Sequence, residues 1–270
     1  MISYAQNQED VMLARALAGT TKGFYIDVGA HDPEIDSVTQ HFYDQGWRGV
    51  NIEPAVRQCE RFVLHRPLDV NLAVALGRRE GRLRFHDFSP YGLSTCDIES
   101  ARRMHARGYA SHDYDVQVTT LAAVCAKHAP DTIDFLKIDV EGTEAEVIAG
   151  ADWLAYRPRI VVVEATRPLD GAPSYAEWES SLVSGGYLFV WFDGVNRFYL
   201  RREDAPLARH FNAPPNAFDG FQIAEVARLR AEVERLRAEV DRLRHSTVTR
   251  TIHDLRVWAR ARIDARRKAR

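Results

Sequence analysis

The chain has 270 residues, of which 46% are hydrophobic and 27% charged, with 16 Gly and 11 Pro. This composition fits one ordinary globular domain with an added segment and excludes a collagenous or wholly disordered chain. The net charge of −2 conceals two opposite parts, because the residues from Gln222 onward carry 14 Lys and Arg against 7 Asp and Glu, which leaves the preceding part acidic.

The cysteines and the apolar runs indicate the compartment. Cys59, Cys96 and Cys125 lie far apart without a CxxC pair, so we expect neither a disulfide framework nor a cysteine zinc site, and a reducing compartment follows. The first eight residues are polar, and the run Ile160–Val163 is too short to span a bilayer. We therefore expect a cytoplasmic protein that is neither secreted nor transmembrane.

Short apolar runs alternate with helical segments as far as residue 200. The predicted strands are Phe24–Val28, Gly49–Ile52, Val70–Val74, Phe135–Val140 and Ile160–Val163. The predicted helices are Gln8–Ala18, Val56–Leu64, Ile98–Arg107, Leu121–Lys127, Glu144–Ala149 and Tyr175–Ser184. Nearly unbroken apolar strands between helices predict a doubly wound α/β fold with a mostly parallel sheet covered on both faces.

Two further runs predict how the sheet ends. Tyr187–Phe192 and Arg197–Leu200 flank a turn of hairpin length that contains Gly194. We therefore expect an antiparallel terminal strand.

The first predicted strand ends in a carboxylate and is followed by a glycine. Open α/β folds bind ligands at this edge of the sheet, so Asp27 would pair with a cationic group and Gly29 would permit close approach. The spacing is not GxGxxG, which disfavours a nicotinamide enzyme and favours a ligand without phosphates. The alternative is that Asp27 caps the next helix.

The second predicted strand also ends in an acid. Glu53 follows Gly29 by about 24 residues, near the interval at which an acidic residue accepts the hydroxyl protons of a ribose. The alternative is an N-cap or loop charge, since Pro54 suits the start of a helix.

The fourth predicted strand carries Lys137, Asp139 and Glu141 at alternate positions, which should share one side. Thr143 and Glu146 form a capping box pattern, so a helix should start immediately after the strand. A buried ion-pair cluster and a catalytic or metal role remain alternatives for the three ionisable residues.

Six motifs follow one another along the chain: SYAQNQEDVMLARAL, DVGAH, IEP, LKIDVEG, VVVEAT and FDGVNRFYL. In these motifs and their order, the sequence resembles the FkbM-type family of S-adenosylmethionine-dependent methyltransferases, and the resemblance covers residues 3–221. It implies a seven-stranded Rossmann-like methyltransferase sheet with an antiparallel terminal strand. It also implies the cofactor-binding residues: Asp27, Gly29 and Ala30 at the methionine and ribose part, Glu53 at the ribose hydroxyls, Asn71 and Ala73 near the adenine, and Asp139 facing the transferred methyl group.

Methyl transfer to an acceptor oxygen requires removal of a proton. Asp139, Glu164 and His31 are the candidate bases, because each closes or follows a central strand. Alternatively, Asp139, Glu164 and Asp193 hold a divalent cation such as Mg²⁺ that acidifies a sugar hydroxyl. Residues 91–95, with the Tyr91 hydroxyl, are candidates for acceptor binding, and helix capping is the alternative for Ser94 and Thr95.

A heptad repeat with Val at a and Leu at d follows Pro215. Its members are Val226, Leu229, Val233, Leu236, Val240 and Leu243. Glu residues at g and Arg residues at e predict a parallel homo-oligomer, either a dimer or a trimer, and a single solvated helix is the alternative.

The heptad register breaks at residues 246–249, and a basic segment follows. Trp258 lies among apolar residues on one helical side with Arg around it, a pattern that suits peripheral contact with an anionic membrane. The alternatives are a frayed basic tail and, third, nucleic-acid binding. The sequence thus divides into a methyltransferase domain at 1–221, a coiled coil at 222–245 and a basic amphipathic tail at 246–270.

The resemblance and the tail together predict an S-adenosylmethionine-dependent O-methyltransferase that acts on a sugar hydroxyl of a surface polysaccharide or lipid-linked glycan. One alternative is a small-molecule tailoring O-methyltransferase. Another is an inactive coiled-coil assembly or membrane-tethering protein.

Overall fold

The computed structural model describes residues 1–88 and 92–268, with side chains described except at 246–249 and 263–268. Tyr91 and the side chains of Ile263 and of the basic residues after it, which the sequence singled out, therefore lie outside the described residues. The chain forms two compact units, one of which holds Met1 and Ser3–Phe221 while the other holds Ile2 and the residues from Gln222 onward.

Among the described residues, strands β1 to β12 lie at Ile2–Ser3, Phe24–Val28, Arg48–Ile52, Val70–Leu72, Ala75–Leu76, Gly81–Asp87, His112–Thr119, Phe135–Ile138, Ile160–Glu164, Tyr187–Phe192, Asn196–Arg201 and Gln222–Ile223. Helices α1 to α8 lie at Glu9–Ala16, Gln40–Asp44, Val56–His65, Ile98–Ala106, Leu121–His128, Glu144–Ala149, Glu179–Ser184 and Ala224–Lys268. Short 3₁₀ helices lie at Tyr175–Glu177, Arg202–Phe211 and Ala217–Asp219.

The described strands of the first unit build a central sheet in the order β10-β11-β9-β8-β2-β3-β4. The pairs β4-β3, β3-β2, β2-β8 and β8-β9 are parallel, and β11 pairs antiparallel with both β9 and β10. The predicted α/β fold with a mostly parallel central sheet is therefore confirmed, and the described part of that sheet has seven strands.

Apolar layers cover both faces of this sheet. In β9 the buried residues alternate between two hydrophobic clusters, with Val161 and Val163 in one and Ile160 and Val162 in the other. Because successive side chains of a strand point to opposite faces, a strand buried on both sides reads as a continuous apolar run. This is the reason that the sequence revealed β9 so clearly.

Two strands end earlier than predicted. The strand predicted at Phe135–Val140 ends at Ile138, because the chain then turns and Glu141 and Gly142 take positive φ values of 58° and 114°. The strand predicted at Val70–Val74 ends at Leu72, because the chain leaves the central sheet there and β5 joins a second sheet.

The second sheet has the order β5-β7-β6 among the described residues, and the sequence analysis missed it. Its strands β6 and β7 pair antiparallel over their whole lengths. The first four residues of β6 are exposed and only Phe85 is buried, so the apolar alternation that reveals a strand is weak here.

The second unit consists mainly of α8, which is one continuous helix of 45 residues. No helix in residues 1–88 and 92–268 is both long enough and apolar enough to cross a membrane. The side chains at the predicted register break, 246–249, lie outside the described residues. Contact of the basic segment with an anionic membrane stays a prediction.

Candidate functional site

A cavity of about 610 Å³ lies at the carboxyl ends of β2, β3 and β8. Its size suits a nucleoside or a drug-sized ligand. The predicted site residues that line it are Asp27, Gly29, Ala30, His31, Glu53 and Asp139. Asn71, Ala73, Glu164 and Asp193 are not among its lining residues.

Asp27 is the penultimate residue of β2, is buried and lines the cavity. The hydroxyl of Thr39 donates a hydrogen bond of 3.0 Å to its Oδ2 atom. Burial raises the pKa of Asp27 above its usual value, although the positive charge of Lys137 opposes the shift. Helix α2 has Thr39 as its N-cap residue, so the alternative in which Asp27 caps the next helix is wrong.

Arg66 binds Thr39, which in turn donates a hydrogen bond to Asp27. The sequence analysis did not identify Arg66. It is fully buried, and its Nη1 atom donates a 2.6 Å hydrogen bond to Thr39 Oγ1. The hydroxyl oxygen of Thr39 thus accepts from Arg66, which directs its own hydrogen toward Asp27. The guanidinium also packs over the rings of Phe62 and Tyr43. An arginine at a helix end is ordinarily exposed, so no local signal marked it.

Glu53 follows β3 and is also buried. Its Oε1 atom accepts a 2.8 Å hydrogen bond from the Ala55 amide, and its Oε2 atom accepts one of 2.9 Å from the His31 amide. A carboxylate accepts about four hydrogen bonds, so two remain for the hydroxyls of a ligand. Burial raises the pKa of Glu53 to about 7.

The raised pKa of Glu53 predicts a pH dependence of stability. Glu53 has a pKa of about 7 in the folded protein, whereas the ordinary value is 4.5. Its contribution to the free energy of unfolding is therefore fully present below pH 4.5. This contribution is lost as the pH rises through 7. We expect the Glu53→Gln variant to lack this loss, which amounts to about 3 kcal/mol between pH 4.5 and pH 8. Urea unfolding without ligand at several pH values measures it.

Glu146→Gln is the matched control, because the Glu146 side chain is 52% exposed and binds Arg78 at the surface. Its stability profile should run parallel to that of the unmodified protein. An equally parallel profile for Glu53→Gln would show that the folded protein does not raise this pKa.

Gly29 has a structural role that the sequence analysis did not predict. It has a φ of +78°, and a Cβ atom placed there would lie well within 3.0 Å of the main-chain carbonyl oxygen of Asp139. The amides of Gly29 and Ala30 both donate to the carbonyl oxygen of Ile52, at 2.9 and 3.1 Å. Gly29 therefore lets the ends of β2 and β8 approach each other. It also lines the cavity, so the predicted close approach of a ligand at Gly29 stays a prediction.

Lys137 and Asp139 form a partly buried ion pair, with Nζ and Oδ2 2.7 Å apart. Lys137 lies opposite Asp27 in the register of β8 and β2. Desolvation disfavours its charge, but the carboxylates of Asp139, Asp27 and Glu9 outweigh that cost and hold the pKa of Lys137 well above its usual value. The ion-pair alternative is thus confirmed for these two residues, and Glu141 follows the end of the strand.

Glu144 organises the loop after β8, and the sequence analysis missed it. Its Oε1 atom accepts hydrogen bonds from the amides of Val140, at 3.1 Å, and Gly142, at 3.0 Å. Burial raises the pKa of Glu144 to about 7. The predicted capping box is wrong, because the Thr143 side chain makes no capping bond and Glu146 pairs with Arg78. The sequence signal that could have identified Glu144 is an acidic residue at the first position of a helix, shortly after the turn at Gly142.

The amino-terminal segment also reaches the cavity. Glu9 and Gln6 line it, and Glu9 is buried. Its Oε1 atom accepts a 2.9 Å hydrogen bond from Asn196 Nδ2, and its Oε2 atom accepts one of 2.9 Å from the Asn7 amide. Burial raises the pKa of Glu9 to about 7. The SYAQNQED motif was the signal here, although no residue in it received a role.

The predicted cation ligands Asp139, Glu164 and Asp193 are not assembled as a metal site. Asp193 Oδ1 instead accepts hydrogen bonds from the amides of Val195 and Asn196, which fixes the turn before β11. Among the residues that the structure describes, no group of three or more His, Cys, Asp or Glu is arranged to hold a metal ion.

Glu164 is 8% exposed at the end of β9, and its Oε2 atom has no hydrogen-bond partner among the described residues. Burial, reinforced by the charges of Asp139 and Glu141, raises its pKa well above the usual range. Glu164 lies near Asp139 and Glu141, but it does not line the cavity.

Asn71 and Ala73, the two residues predicted near the adenine, do not line the cavity. Asn71 accepts a 2.9 Å hydrogen bond from Asn51 Nδ2 and donates one of 3.1 Å to the carbonyl oxygen of Arg66. The cavity wall is instead formed by residues 74–76, where the chain passes from the central sheet to the second sheet. The sequence analysis extended this strand to Val74 and therefore did not predict the change of sheet.

His31 combines a strained backbone with a position on the cavity wall. Its φ is +53°, in the left-handed region, and its amide donates to Glu53. Such strain is found most often at functional sites. Burial lowers the pKa of the imidazole below 6.5.

A protein-family model described as the methyltransferase FkbM domain matches residues 27–189, which is more than half of the chain. The matched span begins at Asp27 and includes every central strand from β3 to β9. No curated protein matches the chain at a significant level.

Proposed function

The chain belongs to the FkbM methyltransferase family, and we propose that it is an S-adenosylmethionine-dependent O-methyltransferase whose acceptor is a sugar hydroxyl. The observation that carries this proposal is the pair of buried acidic residues, Asp27 and Glu53, which lie at the carboxyl ends of adjacent parallel strands and line one cavity. The carboxyl edge of such a sheet is where open α/β folds bind nucleotide ligands.

The residues present fit this cofactor, which supplies a methyl group on a positively charged sulfonium. Asp27 keeps acceptor capacity beyond its bond from Thr39, and it would bind the ammonium of the methionine part. Glu53 keeps capacity for the two ribose hydroxyls. Among the described residues, seven Asp and Glu side chains line the cavity against three Lys and Arg. The balance stays negative although Glu9 and Glu53, with pKa values of about 7, are only about half ionised at pH 7, and it suits a cationic cofactor.

Among the candidate bases, the geometry favours His31. It lines the cavity, and its lowered pKa keeps the imidazole neutral and able to accept a proton at pH 7. Asp139 also lines the cavity, but its Oδ2 atom already accepts a hydrogen bond from Lys137. Glu164 is not a lining residue. We therefore assign removal of the acceptor proton to His31.

The lining also favours an uncharged, hydrogen-bonding acceptor. Gln6 brings a side-chain amide to the cavity, which can donate to and accept from a polyhydroxyl acceptor. The hydroxyls of Ser94 and Thr95 also line the cavity. They already donate to Asp87 and to the carbonyl oxygen of Glu141, respectively, and keep only acceptor capacity. The negative balance of the lining opposes an acceptor whose reacting end carries phosphate or carboxylate. A neutral sugar ring, with any anionic group far from the reacting hydroxyl, satisfies both conditions.

Transfer of a labelled methyl group from S-adenosylmethionine tests this function, with a panel of glycans and of small hydroxylated molecules as acceptors, each with and without a chelator. We expect label in a glycan. Because base catalysis contributes about 10²- to 10⁴-fold, His31→Gln should lower kcat by at least about 100-fold while changing the Kd of S-adenosylmethionine little. The unmodified enzyme should lose activity below the pKa of His31, and this acidic limb should be absent from the variant.

His65→Gln is the control, since His65 is partly exposed and pairs only loosely with Glu34. Full activity of His31→Gln would contradict its assignment as the base. Label only in small molecules would favour the tailoring alternative, and no thermal stabilisation by S-adenosylmethionine would favour the inactive assembly protein.

A further inference from the structure

The first half of α8 presents a row of exposed apolar side chains. We call residues 226–243 the heptad segment. Five members of its row are exposed to the following extents: Val226 39%, Leu229 57%, Val233 45%, Leu236 47% and Val240 45%. Spacings of three and four place them along one side of the helix. Soluble proteins rarely leave such a continuous apolar stripe in water, so it marks an interaction surface.

Charged residues on both sides of the stripe identify the partner. Glu occupies every g position, at 225, 232 and 239, and Arg occupies every e position, at 230, 237 and 244. In a parallel pair, each g residue faces the e residue five positions later in the other helix, so all contacts join Glu to Arg. In an antiparallel pair, g faces g and e faces e, so Glu would meet Glu and Arg would meet Arg. The pattern is therefore complementary to a second, parallel copy of itself.

Ion pairs within one helix leave the stripe uncovered. Glu232 binds Arg235 at 2.6 Å, and Glu234 binds Arg237 at 3.0 Å, but all four side chains are exposed. Such pairs at a surface stabilise a helix only weakly. They do not remove apolar area from water, whereas pairing of two stripes does.

We propose that the heptad segments of two copies form a parallel, in-register, two-stranded coiled coil. Val at a combined with Leu at d favours two strands over three. The pairing places the Gln222 ends of both helices together, so two methyltransferase units are tethered at one end of the coiled coil.

Sedimentation equilibrium of the full chain tests the proposal with two complementary triple variants. One variant carries Glu225→Arg, Glu232→Arg and Glu239→Arg, and the other carries Arg230→Glu, Arg237→Glu and Arg244→Glu. Each alone turns every g to e′ contact repulsive, and we expect its dimer dissociation constant to rise more than about tenfold. An equimolar mixture restores the attraction and should form a mixed dimer.

The matched control reverses three charges on the outer face, by Arg228→Glu, Arg235→Glu and Arg242→Glu, and should remain a dimer. Circular dichroism checks that every variant keeps its helix. An unmodified chain with the mass of one or of three copies overturns the proposal. A mixture of the two triple variants that stays monomeric overturns it equally.

A cysteine at a d position tests the orientation. Leu229→Cys faces its own copy in a parallel coiled coil and should form a disulfide-linked dimer under mild oxidation, whereas Arg228→Cys on the outer face should not. The unmodified chain gives the background of its own three cysteines, of which Cys59 and Cys125 are buried. A dimer that Leu229→Cys fails to cross-link overturns the parallel arrangement.

Discussion

Replacing Gly29 by alanine is expected to lower the free energy of unfolding by at least about 4 kcal/mol, which is an exceptional effect for one methyl group. The added Cβ would overlap the main-chain oxygen of Asp139, and neither backbone can yield without separating β2 from β8. The positive φ of Gly29 adds about 1–2 kcal/mol of strain for any residue with a Cβ atom. Both causes act at the centre of the sheet, so activity should be lost together with the fold.

Urea unfolding of Gly29→Ala and of Gly19→Ala measures the effect. Gly19 is a suitable control because a Cβ there meets nothing within 4 Å and its φ is not in the left-handed region. We expect Gly19→Ala to stay within about 0.5 kcal/mol of the unmodified protein. Similar stabilities of the two variants would show that the strands have room to separate and that the close approach at Gly29 is not required.

Asp27→Asn is expected to weaken the binding of S-adenosylmethionine by at least about 10-fold. Asparagine keeps the shape of the side chain and an oxygen that can accept from Thr39, so the change removes mainly the charge. A hydrogen bond to a charged group contributes about 1.5–3 kcal/mol, which corresponds to about 10- to 150-fold in affinity. Isothermal titration calorimetry gives the Kd, and the thermal shift produced by the cofactor should shrink in parallel.

The control variant Asp36→Asn distinguishes the direct contact between Asp27 and the cofactor from the general effect of negative charge around the cavity. Asp36 also lines the cavity, but it is exposed, and its loss should change the Kd less than about threefold. Equal affinity of Asp27→Asn and the unmodified protein would remove the central contact of the proposed function. A loss of equal size in Asp36→Asn would assign the effect to the overall charge of the cavity.

The sequence predicted the central sheet and two of its key acids for one physical reason. Strands buried on both faces need continuous apolar residues, so β2, β3, β8 and β9 stand out, and a polar residue at their carboxyl ends lies at the shared edge. Asp27 and Glu53 therefore came together as expected.

Other parts of the site depend on packing that no local pattern records. Arg66 and Glu9 lie at helix ends, where charged residues are normally solvated, and both are buried against distant segments, Arg66 at Thr39 and Glu9 at Asn196. The second sheet escaped prediction because the first four of the seven residues of β6 are exposed. Asp193 looked like a cation ligand, whereas its oxygen holds the amides of its own turn.

The ion pair of Lys137 has a consequence for sugar chemistry. The aldehyde at the reducing end of a sugar condenses with the lone pair of a neutral amine, and a lysine inside a sugar-binding cavity would ordinarily be at risk of glycation. The surrounding carboxylates keep the ammonium of Lys137 protonated, so it has no lone pair to offer. If the acceptor is a sugar, as we propose, its open-chain form would enter and leave without being captured as an imine by Lys137.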